Sequence, residues 1–418
     1  MPDPASIAAA EHRRVTADAS DWAVVYLDHA ATTPPRPEVA AAIAAATVDG
    51  YANPSSQHAA GRRARRLLED ARERILAAVG GRSAGPSRDR LVFTSGATEA
   101  NWLAVLGLAG GSGAAGGGRA AFSARDHSSA QSAAAALGER GWRVTQLPLN
   151  AAGSLDVAAL TTWAGENPAP AILSTTLVCG QSGTREDLSF VGRMGSGNPS
   201  MLIHADATQA FAATDIAFAE SGLATLTLAA HKFGGPRGIG GLVIRATAAV
   251  RPMLPGAQEA GLRGGTEAVP LAAGFAAAVE LAVAERGAAA RRLADLRGRL
   301  ETGLLADARA RGIPAAVVGA DAARTPQITT IVFSGIDRQA FVMAADLAGV
   351  CCATGAACAS GSSEPAPALA AMGLPPESVS GAVRFSVGRS TSDADIDEAI
   401  ARLRPVLDRL ARTAAGPR

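Results

Sequence analysis

Lysine is almost absent from this chain. Lysine and arginine together number 39, yet lysine occurs once, at Lys232. The Ala/Gly/Arg-rich composition is typical of a genome under strong GC pressure, which replaces lysine with arginine wherever only a cation is needed. A guanidinium cannot form an imine or act as a neutral amine base, because its pKa stays above about 12. We therefore expect Lys232 to lie where the chemistry requires a primary amine; the alternative is a surface lysine that survived by chance.

The chain also lacks long apolar runs, paired cysteines and an excess of charge, which argues against membrane, disulfide-rich and nucleic-acid-binding proteins. No run of about 18 uninterrupted apolar residues is present, so no membrane span is predicted. The four cysteines form no CxxC pair, which predicts neither a disulfide framework nor a metal site. The formal net charge is +1, and the basic run Arg62–Arg66 belongs to the solvated face of an amphipathic helix, so no nucleic-acid partner is expected. Without an apolar signal segment at the N-terminus, we expect a cytoplasmic protein.

Short apolar segments alternate with helical ones along the first two thirds of the chain. This alternation predicts an α/β fold with a large, doubly wound, mostly parallel sheet covered by helices on both faces. A long helix is predicted from Ala268 to about Arg311, and shorter α/β elements follow it. We expect an N-terminal extension (1–25) that returns to the small domain, a large domain (26–267) and a small C-terminal α/β domain (268–418). The predicted strands are Val24–Leu27, Leu91–Thr94, Ala120–Ser123, Arg143–Leu147, Ile172–Thr175, Met201–His204, Ala224–Leu228, Gly240–Ile244, Ile328–Phe333 and Val383–Val387.

Three polar motifs follow predicted strands, where open α/β sheets place their ligands. Thr98 opens a helix just after Gly96, Asp206 follows the strand Met201–His204, and the His231-Lys232 pair follows the next strand. Pyridoxal phosphate (PLP) requires a lysine for its imine, a carboxylate for its pyridine nitrogen and hydrogen-bond donors for its phosphate. Taken singly, Thr98 and Asp206 could equally be helix caps. Their order around the single lysine favours a PLP site.

The chain resembles the cysteine desulfurases of the class V aminotransferase superfamily, which are PLP enzymes of fold type I. The resemblance extends from Tyr26 to Arg412. The segments that carry it are Tyr26–Pro34, Asn53–Ser56, Thr94–Glu99, Asp206–Gln209, His231-Lys232, Arg263–Thr266 and Arg384–Arg389. It implies that Lys232 carries the cofactor and removes the Cα proton, that Asp206 pairs with the pyridine nitrogen, and that Gln209 contacts the phenolic oxygen of the ring.

The resemblance also implies contacts to the phosphate and the substrate. The phosphate contacts would be Thr98, His231 and Thr266 of the partner subunit, which requires a homodimer. Ala97 would also bind the cofactor. His127 falls where the family stacks a histidine on the cofactor ring, and it is a plausible proton shuttle; the alternative is a histidine that caps a helix at the surface. Arg384 matches the arginine that binds the substrate carboxylate, a bidentate role that lysine fills poorly; the alternative is an arginine at a strand edge.

Cys358 is the residue by which the chain resembles the cysteine desulfurases rather than other members of the superfamily. It lies in the segment Thr354–Ser360, which matches the family's catalytic loop, and small residues on both sides would leave a nucleophilic thiolate mobile and accessible. The alternative is a small core residue. The resemblance implies that the enzyme converts L-cysteine to L-alanine, that Cys358 takes the sulfur as a persulfide, and that an acceptor protein then receives it.

Three departures from the family pattern leave other activities open. Gly180 stands where the family has an asparagine near the cofactor, Ala229 where it has a serine on the phosphate, and Trp102 where it has another asparagine. A related class V reaction is the first alternative: a selenocysteine or cysteine-sulfinate lyase, or a C–S lyase for a larger thioether. A non-catalytic sulfur-relay scaffold is the second.

Overall fold

The computed structural model describes residues 24–114, 117–166, 170–197, 201–355 and 366–414. Its largest sheet has seven strands in the order β2-β8-β7-β6-β5-β3-β4. All neighbouring strands are parallel except β8, which is antiparallel to both β2 and β7. The strands are β2 Arg90–Thr94, β3 Arg119–Ser123, β4 Arg143–Leu147, β5 Ala171–Thr176, β6 Met201–Asp206, β7 Thr225–Ala229 and β8 Gly240–Ile244.

A second, smaller sheet lies in the C-terminal part of the chain. It has three antiparallel strands in the order β12-β10-β9. A separate two-stranded parallel sheet pairs the first strand of the chain, β1, with β11, so the N-terminal strand lies against C-terminal residues. The strands are β1 Val25–Tyr26, β9 Ala315–Val317, β10 Ile328–Phe333, β11 Val350–Cys351 and β12 Ala382–Ser386.

Helices cover both faces of the large sheet, and other helices pack against the C-terminal strands. They are α1 Pro37–Asp49, α2 Ala59–Ala78, α3 Ala97–Gly111, α4 Ser128–Glu139, α5 Val157–Gly165, α6 Leu188–Gly197, α7 Val269–Ala310, α8 Arg338–Leu347, α9 Pro367–Ala371, α10 Pro376–Ser380 and α11 Asp393–Ala414. One large apolar cluster includes Leu68 of α2, Phe275 of α7 and Leu226 of β7. Another includes Leu103 of α3 and Leu137 of α4. Because the strands are buried on both faces, they consist of nearly continuous apolar runs rather than alternating ones.

The long helix α7 joins two apolar cores. Its first part, from Val269 to Ala282, packs with the large sheet, whereas Leu296, Leu300 and Leu304 pack into a third cluster that also contains Val25 of the first strand. The chain therefore passes from one core to the other within this helix. The domain boundary at residue 268 stays a prediction, and most of the predicted N-terminal extension lies outside the described residues.

The predicted fold class is confirmed, and most predicted elements have nearly the predicted bounds. Two corrections concern strand ends: the strand predicted as Met201–His204 continues to Asp206, and the strand predicted as Val24–Leu27 is reduced to Val25–Tyr26. The short strand β9 was not predicted, because three residues give no usable periodicity. A strand that ends at Cys351 and Cys352 was expected, and β11 ends at Cys351. Within the described ranges, no helix is long and apolar enough to cross a membrane.

Gly240 lets the antiparallel strand β8 pass the beginning of helix α3. A Cβ atom on Gly240 would lie 2.6 Å from the carbonyl carbon of Gly96 and 3.0 Å from the nitrogen of Ala97. These are backbone atoms, so they can move away only if α3 or β8 shifts. A glycine at this position therefore fixes where the first turn of α3 lies relative to the sheet.

We predict that Gly240→Ala lowers the free energy of unfolding by about 1–3 kcal/mol, the usual cost of overpacking. Gly298→Ala is the matched control, because a Cβ there meets nothing within 4 Å, and alanine in a helix is expected to stabilise by roughly 0.5–1 kcal/mol. Urea unfolding followed by circular dichroism measures both. Equal stability of the two variants would contradict this account of Gly240.

Candidate active site

The segment that follows the first strand lies at the centre of the site. The carbonyl oxygen of Ala30 accepts hydrogen bonds from Lys232 Nζ at 2.7 Å and from Gln209 Nε2 at 2.8 Å. Lys232 Nζ also donates to the Ala31 carbonyl at 2.9 Å. Two residues predicted from separate motifs thus converge on one carbonyl group, which belongs to a third motif of the chain.

Lys232 and His231 follow strand β7 in a single 3-10 turn, Ala230–Lys232. Both are half-buried, and His231 Nδ1 lies 3.1 Å from the hydroxyl oxygen of Thr32. Burial, together with the neighbouring cations Lys232 and Arg237, lowers the pKa of His231 to about 4. Its ring is therefore neutral at physiological pH, and it can serve as a hydrogen-bonding group for an anion.

Asp206 ends strand β6 and is 4% exposed. Its Oδ1 accepts from the Thr208 amide at 2.8 Å, and its Oδ2 accepts from Asn101 Nδ2 at 2.9 Å. Both donors are neutral. A buried carboxylate is costly unless it is paired with a cation, so this arrangement favours a ligand that carries a protonated nitrogen.

The first turn of α3 offers backbone N–H groups to an anion. Ala97 and Thr98 begin this helix, and a helix N-terminus favours negative charge. Thr98 is exposed, and no atom lies within 4 Å of the point where a Cβ of Gly96 would be. The space beside this turn is therefore open to a phosphate group.

Arg384 is the central residue of strand β12, and its buried guanidinium forms two hydrogen bonds. Its Nη2 pairs with Asp28 Oδ1 at 2.8 Å, and its Nη1 donates to the Gly180 carbonyl at 2.9 Å. The guanidinium is thus fixed in orientation, and its buried Nε–H is left without a hydrogen-bond partner among the described residues.

His127 is the N-cap residue of α4. Its Nδ1 accepts from the Ser129 amide at 3.2 Å and lies 2.8 Å from Ser129 Oγ. The ring itself is exposed. His127 therefore caps the helix, as the alternative interpretation of the sequence predicted. The cap uses only Nδ1, and the ring remains exposed.

The loop that leads to Thr266 is anchored in the protein core. Glu259, whose backbone has a φ of 48°, forms a bidentate ion pair with Arg72 and accepts from the Phe93 amide at 2.8 Å. Further along, Arg263 pairs with Glu99 of α3 at 2.9 Å. These contacts hold an energetically unfavourable backbone conformation and leave Thr266 exposed.

Two residues of the site were missed from the sequence. Asp28 holds Arg384, and Asn101 holds Asp206. Asp28 lies within a segment that carried the family resemblance, which is a signal that could have been used. Asn101 directly precedes Trp102, the position noted as departing from the family pattern, so the helix does present an asparagine to the site.

The three departures have different surroundings. A Cβ on Gly180 would lie 3.8 Å from Gln209 Nε2, which is ordinary contact distance. Ala229 is fully buried at the end of β7. Trp102 lines a surface cavity of about 310 Å³ together with Thr98 and Met253. Cys358 lies outside the described residues, while Cys179, Cys351 and Cys352 are free thiols.

Comparison with known proteins agrees with this geometry. The family model described as aminotransferase class V matches residues 25–399. A cysteine desulfurase of Trichormus azollae is 33% identical over 400 residues, which cover 93% of this chain and 94% of that protein. Among solved structures, a NifS-like protein of Rickettsia africae matches with a TM-score of 0.81 and 27% identity, covering 92% of this chain and all of the other.

A further solved structure contains bound cysteine. SspA, solved in complex with cysteine, matches with a TM-score of 0.72 and 26% identity, covering 88% of this chain and 99% of the other. The predicted relationship is confirmed by these matches, which extend over nearly the full length of each relative. The chain belongs to the class V aminotransferase family, whose cysteine desulfurase branch is generally PLP-dependent.

Proposed function

We propose that this chain is a PLP-dependent cysteine desulfurase, which converts L-cysteine to L-alanine and transfers the sulfur to Cys358 as a persulfide. The observation that carries the proposal is the convergence of Lys232 and Gln209 on the Ala30 carbonyl. The buried guanidinium of Arg384 and the buried carboxylate of Asp206 supply the charged groups that suit a substrate carboxylate and a cationic ring nitrogen. Relatives named cysteine desulfurase and a relative solved with cysteine support it.

The residues present fit PLP at three points. The buried Asp206 carboxylate, with neutral donors on both oxygens, suits a protonated pyridine nitrogen. The open first turn of α3, with Ala97 and Thr98, suits the phosphate, and the neutral ring of His231 can add a hydrogen bond to it. When bound, PLP supplies an electron sink for the substrate α-carbon.

Arg384 is the proposed anchor for the substrate carboxylate. Asp28 and the Gly180 carbonyl fix the plane of its guanidinium, and each Nη atom has a second N–H beyond these bonds. A charge-assisted bond to this buried group orients the amino acid before any proton moves. Asp28 also offsets the positive charge when no substrate is present.

Lys232 and Cys358 divide the chemistry between them. Lys232 Nζ takes the proton from the substrate Cα, and the carbonyl groups of Ala30 and Ala31 are positioned to accept hydrogen bonds from the resulting ammonium. The Cys358 thiolate attacks the substrate sulfur, so that an S–S bond forms and the C–S bond breaks. The electron pair of the broken bond passes to Cβ, which is protonated, and return of a proton to Cα completes alanine. His127 is the proposed proton shuttle.

The proposed assembly is a homodimer in the reducing cytoplasm. Thr266 is exposed at the end of its anchored loop, where it could reach the phosphate site of a partner subunit. Leu254 of the same loop is 52% exposed, which suits a surface that a second copy covers. Free thiols at the described cysteines suit a reducing compartment, and an acceptor protein would remove the persulfide sulfur.

We predict that Lys232→Arg abolishes both the visible absorption of bound PLP and all turnover, although it keeps the positive charge. The reason is that a guanidinium cannot replace a primary amine in either role. Absorption spectra after addition of PLP and alanine release from L-cysteine check this. If Lys232→Arg retained the absorption band, the assignment of Lys232 would be wrong.

Cys358→Ser is expected to bind PLP and L-cysteine normally while forming no persulfide. This variant separates proton removal at Cα, which depends on Lys232, from sulfur capture, which depends on Cys358. Cys351→Ser is the matched control, because burial raises the pKa of the Cys351 thiol and disfavours its thiolate. Release of sulfur by Cys358→Ser at the parent rate would instead identify an eliminating C–S lyase.

We predict that Gly180→Asn combined with Ala229→Ser lowers the PLP dissociation constant about tenfold to a few hundredfold. Each restored hydrogen bond contributes roughly 0.5–1.5 kcal/mol, or up to about 3 kcal/mol to a charged group, and about 1.4 kcal/mol corresponds to a factor of ten. A Cβ on Gly180 makes only ordinary contacts with Gln209, so the first side-chain atom of Asn is accommodated there.

The same variants test the second candidate, a C–S lyase for a bulkier thioether. The observation that favours it is the absence of a side chain at Gly180, which stands next to Gln209. In that case Gly180→Asn should lose activity on a larger thioether while activity on L-cysteine holds or rises. PLP titrations and cysteine turnover of the two single variants and the double variant distinguish the outcomes, and no change in either quantity would refute the assigned position of Gly180.

A further inference from the structure

Asn101 connects two parts of the site that are distant in sequence. It lies in the second turn of α3 and is fully buried. Its Nδ2 donates to Asp206 Oδ2 at 2.9 Å and to Ser129 Oγ at 3.0 Å, and its Oδ1 lies 3.1 Å from His204 Nε2. All the hydrogen-bonding capacity of its amide NH2 group is therefore used within the site.

The orientation of this amide is determined by its neighbours. An ionised carboxylate only accepts hydrogen bonds, so the nitrogen of Asn101, and not its oxygen, must face Asp206. The Asn101 oxygen then faces His204, whose Nε2 must carry a hydrogen. Burial lowers the pKa of His204 to about 4 in spite of the nearby Asp206 charge, so this ring is neutral.

The second hydrogen of the Asn101 amide determines the role of Ser129. Because Ser129 Oγ accepts from Asn101, its own hydroxyl hydrogen is free to donate to His127 Nδ1, 2.8 Å away. The backbone amide of Ser129 also points at Nδ1, at 3.2 Å, and an amide N–H can only donate. His127 Nδ1 is therefore an acceptor, and the proton of the neutral ring is on Nε2.

We propose that Asn101 is a positioning residue that acts on two groups through its side-chain amide. It fixes the Asp206 carboxylate directly, and through Ser129 it holds His127 with the ring proton on Nε2. This inference rests on the proposed function, in which Asp206 faces the cofactor and His127 moves a proton. The same contact network thus prepares both groups before substrate arrives, and preorganisation of this kind is a common source of catalytic efficiency.

The first test measures the protonation of the His127 ring by NMR, in protein without cofactor or substrate. The protein is labelled with ¹⁵N-histidine, and the His127 ring signals are identified by their loss in His127→Gln. We expect an unprotonated Nδ1 and a protonated Nε2. In Ser129→Ala, the ¹⁵N chemical shift of His127 Nδ1 should move toward the value of a nitrogen that accepts fewer hydrogen bonds, because the Ser129 hydroxyl is gone. This shift should stay in place in Ser132→Ala, the matched control one turn along α4, whose hydroxyl instead donates to backbone carbonyls of that helix.

The second test measures coupling between Asn101 and Asp206. Loss of a hydrogen bond to a charged group should raise the PLP dissociation constant of Asn101→Ala about tenfold or more. In an Asp206→Asn background the same change should cost much less, because the carboxylate that Asn101 positions is gone. Circular dichroism shows whether each variant is folded; if Asn101→Ala is not, Asn101→Leu, which keeps a similar volume and removes the donor, takes its place in the cycle.

A proton on His127 Nδ1, or a response of its signal to Ser132→Ala equal to that to Ser129→Ala, would overturn the proposal. Equal losses of PLP affinity in both Asp206 backgrounds would also overturn it, since Asn101 would then be a general packing residue. Failure of the proposed function is distinguishable. A chain that makes no persulfide from L-cysteine could still show the expected His127 spectrum and the expected coupling to Asp206.

Discussion

The carbonyl group of Ala30 is the acceptor on which the rest of the site depends. It holds Lys232 and Gln209 together, and its segment begins directly after β1, a strand that pairs with β11 in the C-terminal part of the chain. The N-terminal segment therefore crosses from one core to the other and lies between them. Because the sheets and the α7 helix fix both cores, the position of this carbonyl is determined by the whole fold rather than by its own loop.

The electrostatics of the site follow from burial. Asp206 is a buried anion with neutral donors on both oxygens, and Arg384 is a buried cation that keeps one unpartnered donor. The Asp206 arrangement is costly in isolation and becomes favourable when a ligand of opposite charge arrives, whereas Asp28 already offsets the charge of Arg384. The rings of His204 and His231 stay neutral, since burial lowers the pKa of each to about 4. The site is thus prepared for a ligand with a cationic nitrogen and separate anionic groups.

The strand-and-helix order and the residues at strand ends could be predicted from the sequence, because local apolar runs and polar residues that follow them are local signals. The ion pair between Asp28 and Arg384 could not, since it joins residues 356 positions apart and depends on how β1 returns to the C-terminal core. Asn101 was missed for another reason. A polar residue inside a helix usually faces solvent, and only the packing of α3 against β6 and α4 reveals that this one faces Asp206 and Ser129.

The central claim is that the single lysine of the chain carries the cofactor. Incubation with PLP, reduction with borohydride, digestion and mass spectrometry test it directly, because a reduced linkage to an amine survives digestion. With one lysine in the sequence, the N-terminal amine is the other primary amine that could react. The account predicts one equivalent of phosphopyridoxyl group on the peptide that contains Lys232. Its absence from that peptide, with the label at the N-terminus or nowhere, would contradict the account.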